Sequence, residues 1–388
     1  MSITAAKGFR AAGITAGLKA SGNPDLALVV NDGPSKAAAA VFTSNRVAAA
    51  PVHWSREVIK DGRADAVILN SGGANACTGP QGFQNTHATA ENTAETLGVS
   101  ATDVVVCSTG LIGEQLPMEK ILAGIGAAAA ALSPDGGADA ATAIMTTDTV
   151  SKQAVFTGTD AEGNEYTIGG MAKGAGMLAP GLATMLVVLT TDADVPPEVL
   201  DAELRGATRV TFDRADSDGC MSTNDTVVLL ASGASGAVPS AAGFAAGLTQ
   251  VCAELARKLI GDAEGASHDI AIRTFNAASE RDAEIVSRAV ARSNLFKTAI
   301  FGKDPNWGRV LSAVGTTDAV FEPEQLNVAM NGVQICRNGS IGEDRSLVDL
   351  EPREVLVEID LQAGGAEATI LTNDLTHEYV HENSAYSS

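Results

Sequence analysis

The sequence predicts a globular α/β protein on three observations. The chain has 388 residues, enough for one large domain or two. Apolar residues make up 45% of it, a share typical of folded rather than disordered chains. Short apolar runs rich in β-branched residues alternate with longer alanine-rich or amphipathic runs, which is the pattern of strands and helices.

The charge and the cysteines narrow the class of protein. A net charge of −21 argues against nucleic acid or an anionic membrane as a partner. The five cysteines are odd in number and form no CxxC pair, so they indicate neither a disulfide framework nor a zinc site. They fit a reducing cytoplasm. No leader, membrane-length apolar run, P-loop or GxSxG motif is visible, and we expect no metal and no cofactor.

The first part of the chain predicts strands that lead into polar loops. Four apolar runs have strand character: 25–31, 38–43, 64–70 and 103–107. Residues 84–97 predict a helix that ends at Gly98, and residues 121–132 predict another. Small residues crowd the loop 70–82, which indicates a close approach to its backbone.

The Thr109–Gly110 pair follows the fourth of these strands. A hydroxyl and a backbone N–H at a strand end can stabilise the oxyanion of acyl transfer. From the residues alone, a strand-to-helix turn is the simpler interpretation.

The second part continues the alternation. Strands are predicted at 184–190 and 225–232, and helices at 196–207, 240–260 and 279–291. Residues 303–310 predict a loop that leads into a strand. The runs 354–361 and 366–371 predict two strands paired around a glycine-rich turn. Tyr379, Val380 and Tyr386 indicate a packed C-terminal tail.

The stretch MAKGAGMLAPGLATMLVVLTTDA, residues 171–193, predicts a glycine-rich loop followed by a buried strand. At the Ala183–Thr184 junction, the Thr184 hydroxyl can attack the Ala183 carbonyl, and water can then release the acyl group. The resulting chain would begin at Thr184, whose free α-amine can act as the base for its own hydroxyl. From these residues alone, an ordinary loop before a core strand explains the pattern as well.

This stretch resembles the cleavage-site signature of the ornithine acetyltransferase family, the glutamate N-acetyltransferases of arginine biosynthesis. STGLIGEQLP, STNDT, KDPNWGRV and the terminal NDLTHEYVHENS match the same family in the same order. The resemblance implies a layered αββα-type sandwich with largely antiparallel sheets, of the self-cleaving N-terminal-nucleophile type. It also implies an α-chain of residues 1–183 and a β-chain of residues 184–388, assembled as a heterotetramer of two of each.

The resemblance assigns roles to single residues. Thr184 would be the nucleophile that carries acetyl from N2-acetylornithine to glutamate in a ping-pong reaction, and Thr109 and Gly110 would form the oxyanion hole. The substrate-contacting positions would be Thr147, Lys173, Thr184, Glu264, Asn383 and Ser388. A carboxylate at position 264 suits the side-chain ammonium of ornithine.

Two other functions remain open from the sequence. One is an N-terminal-nucleophile amidohydrolase or aminopeptidase of the same broad fold, and the other is a binding protein without activity. The sequence also leaves open whether acetyl-CoA is a second donor. It does not distinguish primary arginine synthesis from a specialised pathway.

Overall fold

The computed structural model describes residues 2–177 and 185–385, which form three β-sheets and ten α-helices. The strands are β1 Phe9–Ile14, β2 Leu26–Asn31, β3 Ala37–Phe42, β4 Ala66–Gly73, β5 Val104–Leu111, β6 Lys152–Thr159, β7 Glu165–Lys173, β8 Leu186–Thr191, β9 Thr226–Ala231, β10 Asp269–Ala277, β11 Asn327–Met330, β12 Val333–Arg337, β13 Ser340–Ile341, β14 Glu354–Asp360 and β15 Ala366–Asn373. The helices are α1 Ala50–Val58, α2 Gly79–Leu97, α3 Met118–Ala130, α4 Gly137–Ala143, α5 Pro197–Val210, α6 Ala241–Gly261, α7 Glu280–Ala291, α8 Asn294–Phe301, α9 Trp307–Val314 and α10 His377–Ala385.

The sheets are largely antiparallel, as predicted. Their strand orders are β1-β2-β4-β5, β3-β9-β8-β7-β6 and β13-β12-β11-β14-β10-β15. Each has one parallel pair, which is β4–β5, β8–β9 or β10–β14, and its other neighbouring strands are antiparallel.

The first two sheets pack face to face between helices, which confirms the αββα layering. Successive strand residues point to opposite faces. In β2, Leu28 packs on the side of α2 and α3, while Val29 packs against the second sheet. In β8, Val188 faces the first sheet, while Val187 packs on the side of α5 and α6. Both faces of these strands are buried, so their residues do not alternate between apolar and polar: β2 is apolar up to Asn31 and β8 up to Thr190.

The third sheet has its own core with α7, α8 and α9. It shows that the prediction of β14 and β15 as a pair is wrong. Both strands pair with β10, which lies between them, parallel to β14 and antiparallel to β15. The Ala363 and Gly364 N–H groups donate to the Asn276 carbonyl near the end of β10, so the connecting loop crosses over that strand. The glycine-rich turn predicted a reversal of the chain but not which strand would receive its hydrogen bonds.

The prediction of a strand after Lys303 is also wrong, because this segment leads into helix α9. The Asn306 side chain accepts the N–H of Arg309, which satisfies a donor of the first helical turn. The predicted start of α7 is confirmed, with the Ser279 hydroxyl accepting the Asp282 N–H. In the described part of the chain, no helix combines the length and the apolar character needed to cross a membrane.

Candidate active site

One small cavity, of about 70 Å³, collects residues from distant parts of the chain. It is lined by Thr109, Gly110, Thr146, Thr147, Lys173, Gly176, Met177, Glu264 and Asn383. Six of these are residues to which the sequence resemblance assigned a role: Thr109, Gly110, Thr147, Lys173, Glu264 and Asn383. Three further residues to which the resemblance assigned a role, Ala183, Thr184 and Ser388, lie outside the described residues.

Lys173, the last residue of β7, provides a buried positive charge at the cavity. Its side chain is 2% exposed. The ammonium donates to the Thr146 hydroxyl at 2.7 Å and to the Thr109 hydroxyl at 3.3 Å. Burial lowers its pKa, and the nearby Asp148 carboxylate opposes that shift. The lysine therefore links the end of β5 to the loop that precedes β6.

Lys173 belongs to a row of four alternating charges. Asp148 lies 4.0 Å from it and 2.6 Å from the Lys152 ammonium, which in turn lies 2.5 Å from Asp262. Burial would raise the pKa of Asp148, but the two lysine charges and hydrogen bonds from Lys152 and the Gly174 N–H hold it at about 2. Asp148 lies among the hydroxyl residues of TTDT, residues 146–149, but nothing local in the sequence showed that Asp148 and Lys152 are buried.

Glycine is required at Gly110 by the neighbouring strand. Its φ is +127°, a conformation that side chains disfavour. A Cβ placed there would lie 2.6 Å from backbone atoms of Gly72 and Gly73 in β4. The close approach predicted for the loop 70–82 is thus explained by β5, the strand that carries the proposed oxyanion donors.

The segment before Thr109 is held from two sides. The Asn224 side-chain amide donates to the Ser108 carbonyl at 2.8 Å and to the Ala74 carbonyl at 2.6 Å. The Ser108 hydroxyl donates to the Asn70 side chain at 2.6 Å. Residues of the STNDT motif and of the loop 70–82 therefore support the wall of the cavity without lining it.

Asp225 was not singled out by the sequence, although it lies in the STNDT motif. It is fully buried, and its Oδ1 accepts the N–H of Met185, the first described residue after Thr184, at 3.0 Å. Its Oδ2 makes no hydrogen bond to any residue that the structure describes. Burial raises the pKa of this carboxyl well above its ordinary value.

Glu264 lies against a glycine of the loop that follows β7. Its N–H donates to the Ala175 carbonyl at 2.9 Å. A Cβ on Gly176 would lie 2.6 Å from the Glu264 carboxylate, so the glycine makes room for this side chain. Glu264 and Lys173 both line the cavity, and their side chains carry opposite charges.

Helix α10 brings Asn383 to the cavity, where its side-chain amide donates to the Tyr379 carbonyl at 3.0 Å. The tail is less packed than predicted: Tyr379 is half-buried, but Val380 is 58% exposed. Tyr386 lies outside the described residues. In the ranges 2–177 and 185–385, no group of three or more His, Cys, Asp or Glu residues could hold a metal ion.

The layered αββα arrangement of the described residues is consistent with a fold of the N-terminal-nucleophile type. Residues 10–388 match the sequence model of the ArgJ family, and the chain belongs to that family. The proteins named arginine biosynthesis bifunctional protein ArgJ from Streptomyces coelicolor and Thermobifida fusca are 66% and 63% identical to it, each over 100% of both chains. A crystal structure of ornithine acetyltransferase complexed with ornithine from Mycobacterium tuberculosis is 55% identical over 48% of this chain and 96% of its own, with a TM-score of 0.44.

Replacing Asp148 by asparagine should lower the free energy of unfolding by about 3–5 kcal/mol, because it removes a buried anion that two lysines share. Urea unfolding measures the loss. Asp201→Asn is the control: Asp201 pairs with Arg205 on an exposed helix face, and its loss should change stability by less than about 1 kcal/mol.

A comparison of the wild type with Asp148→Asn at several pH values also tests the pKa of Asp148. A lowered pKa in the folded state adds stability above the ordinary pKa of 3.8, and that stability is lost as the pH falls toward about 2. The stability gap between wild type and Asp148→Asn should therefore narrow from about pH 5 to about pH 3. A gap that stays constant or widens would contradict the assignment.

Proposed function

We propose that this chain is a glutamate N-acetyltransferase of arginine biosynthesis that transfers acetyl from N2-acetyl-L-ornithine to L-glutamate. The observation that carries this proposal is the single cavity lined by Thr109, Gly110, Thr147, Lys173, Glu264 and Asn383. These residues come from five separate segments of the chain. The family and the relatives that are 63–66% identical support the same reaction.

The proposed reaction begins with self-cleavage. The Thr184 hydroxyl attacks the Ala183 carbonyl carbon, the peptide bond breaks in favour of an ester, and water releases the α-chain of residues 1–183. The β-chain of residues 184–388 then begins with a threonine that carries a free α-amine. The described residues beside this segment support the placement: Met177 lines the cavity, and β8 begins at Leu186, the register partner of Lys173.

Acetyl transfer then proceeds in two halves. The α-amine of Thr184 takes the hydroxyl proton, and the oxygen attacks the acetyl carbonyl of acetylornithine. The Thr109 hydroxyl and the Gly110 N–H stabilise the resulting oxyanion. The C–N bond breaks, ornithine leaves with the proton on its amine, and acetyl remains as an ester on Thr184. The amine of glutamate attacks this ester and regenerates the hydroxyl, which gives the ping-pong order.

The charges of the cavity match the substrate. The Lys173 ammonium suits an α-carboxylate, and Glu264 suits the δ-ammonium of ornithine. Thr147, Asn383 and Ser388 complete the proposed contacts. After the proposed cleavage, a positive charge at Lys173 would lower the pKa of the Thr184 amine by like-charge repulsion and so keep that amine a base.

We propose that the two chains remain associated after cleavage, as a heterotetramer of two α-chains and two β-chains. The second sheet supports this association, because the α-chain contributes β3, β6 and β7 and the β-chain contributes β8 and β9. Its neighbouring strands β7 and β8 would thus come from different chains. We place the enzyme in the cytoplasm, where its five free cysteines would stay reduced.

Thr184→Ala should yield one uncleaved chain without transferase activity, since the change removes the hydroxyl needed for both steps. Thr184→Ser should still cleave, because the chemistry needs only a β-hydroxyl. Mass spectrometry of the purified proteins and an assay of N-acetylglutamate formation check both results. Normal turnover by Thr184→Ala, or active wild type without a chain that begins at Thr184, would refute the nucleophile assignment.

Glu264→Gln should weaken the binding of acetylornithine and ornithine more than that of glutamate, which has no side-chain cation. Losing one member of a desolvated charge contact costs about 2–5 kcal/mol. Cleavage at Ala183–Thr184 should persist, since no substrate takes part in it. Kinetics in both directions on the processed variant measure the effect. Equal losses for ornithine and glutamate would instead assign Glu264 to the shared α-amino acid end.

The wild-type enzyme should also acetylate glutamate from acetyl-CoA, in line with relatives that are named bifunctional. An assay of N-acetylglutamate from either donor tests this expectation, and formation from acetylornithine alone would make the enzyme monofunctional. Release of acetate in place of N-acetylglutamate would point to the alternative function, an N-terminal-nucleophile amidohydrolase.

A further inference from the structure

A second polar cavity, of about 60 Å³, lies on the other side of Glu264. Glu264 lines both cavities. They are also joined by a hydrogen bond of 2.7 Å from the N–H of Met177, in the first cavity, to the Asp218 carboxylate in the second. The acetyl-transfer site is therefore adjacent to a second pocket to which no role has yet been assigned.

The second cavity contains a buried ammonium. Lys297, in α8, is 6% exposed. It donates to the Ser217 carbonyl and lies 3.5 Å from the Thr372 hydroxyl, so these two contacts go to neutral oxygens and use two of its three N–H donors. Burial lowers its pKa, while the charges of Asp218, Asp216 and Asp374 favour the ammonium form.

Three carboxylates near Lys297 are held by other groups. Asp218, which lines this cavity, accepts the N–H groups of Met177 and Cys220. Asp374 accepts hydrogen bonds from the N–H groups of Ser267 and His268 and from the His268 ring at 2.8 Å. Asp216 pairs with Arg288 and Arg292. Asp374 also lines this cavity, and the contacts named here for Asp374 and Asp216 go to groups other than Lys297.

The two amino acids of the reaction proposed above differ in the sign of their side-chain charge. Ornithine leaves and glutamate attacks at the same acetyl group, yet one side chain carries a cation and the other an anion. Glu264 suits the cation and repels the anion. Without a positive group near Glu264, the acceptor's side-chain carboxylate would be desolvated beside a like charge.

We propose that the cavity at Lys297 binds the side-chain carboxylate of the acceptor, a dicarboxylic amino acid. The inference rests on the proposed function, since it assumes that one centre serves both amino acids. The Tyr379 hydroxyl adds a neutral donor at this cavity, because burial raises its pKa to about 12. Glu264 would thereby bind the side-chain ammonium of ornithine, and Lys297 would bind the side-chain carboxylate of the acceptor.

Lys297→Met tests the assignment, since it keeps the length of the side chain and removes its charge. The KM for glutamate should rise at least about tenfold, whereas the KM for acetylornithine and the rate of acetyl-enzyme formation should stay within about threefold. Lys258→Met, at an exposed lysine of α6, is the matched control and should change neither half-reaction. Equal losses in both half-reactions, or no change in either, would overturn the inference.

The wild-type enzyme provides a test that does not depend on a folded variant. As acceptors, glutamate and glutamine differ only in the charge of the side-chain end, so glutamate should be preferred at least about tenfold. In Lys297→Met this preference should fall toward one. A wild-type enzyme that forms acetyl-enzyme but does not prefer glutamate overturns the subsite alone. A wild-type enzyme that forms no acetyl-enzyme overturns the proposed function itself.

Discussion

The buried row Lys173–Asp148–Lys152–Asp262 holds together the elements that meet at the cavity. A buried charge is strongly destabilising unless it is paired and hydrogen-bonded. Here each lysine faces a carboxylate, and the row joins the end of β7, the loop 146–149, the start of β6 and the end of α6. The position of the Lys173 ammonium therefore depends on Asp148 and Lys152, which do not line the cavity.

Two facing sheets determine where the polar groups converge. Thr109 and Gly110 lie at the end of β5 in the first sheet, and Lys173 lies at the end of β7 in the second. Apolar packing between these sheets fixes their separation, and the hydrogen bond from Lys173 to Thr109 spans it at the edge. The reactive groups can thus be presented from rigid strands, while Glu264 and Asn383 come from the loop after α6 and from α10.

Local patterns predicted eight of the fifteen described strands and five of the ten described helices. Apolar runs such as those of β2, β8 and β9 were predicted because they reflect burial on both faces. The αββα layering and the cavity residues were predicted instead from the family resemblance. Hydrophobic periodicity predicts single strands and helices but not how they pack or which residues meet at a site. Pairing of β14 and β15 was predicted wrongly, since the partner of a strand depends on a distant segment. Asp148, Lys152, Asp225 and Lys297 were missed for a related reason: whether an ionisable side chain is buried depends on residues far away in sequence.

β7 and β8 are neighbours in the second sheet but lie on opposite sides of the proposed cleavage site, which affects how the cleaved protein stays folded. Before cleavage, these neighbours belong to one chain, and their pairing is an intramolecular event. After the proposed cleavage, the second sheet becomes an interface between two chains, so its stability acquires a dependence on protein concentration. The uncleaved precursor would fold as one chain, whereas a denatured mature enzyme would have to find its partner chain again. The mature enzyme would then unfold irreversibly, and the rate of unfolding would determine how long it stays active.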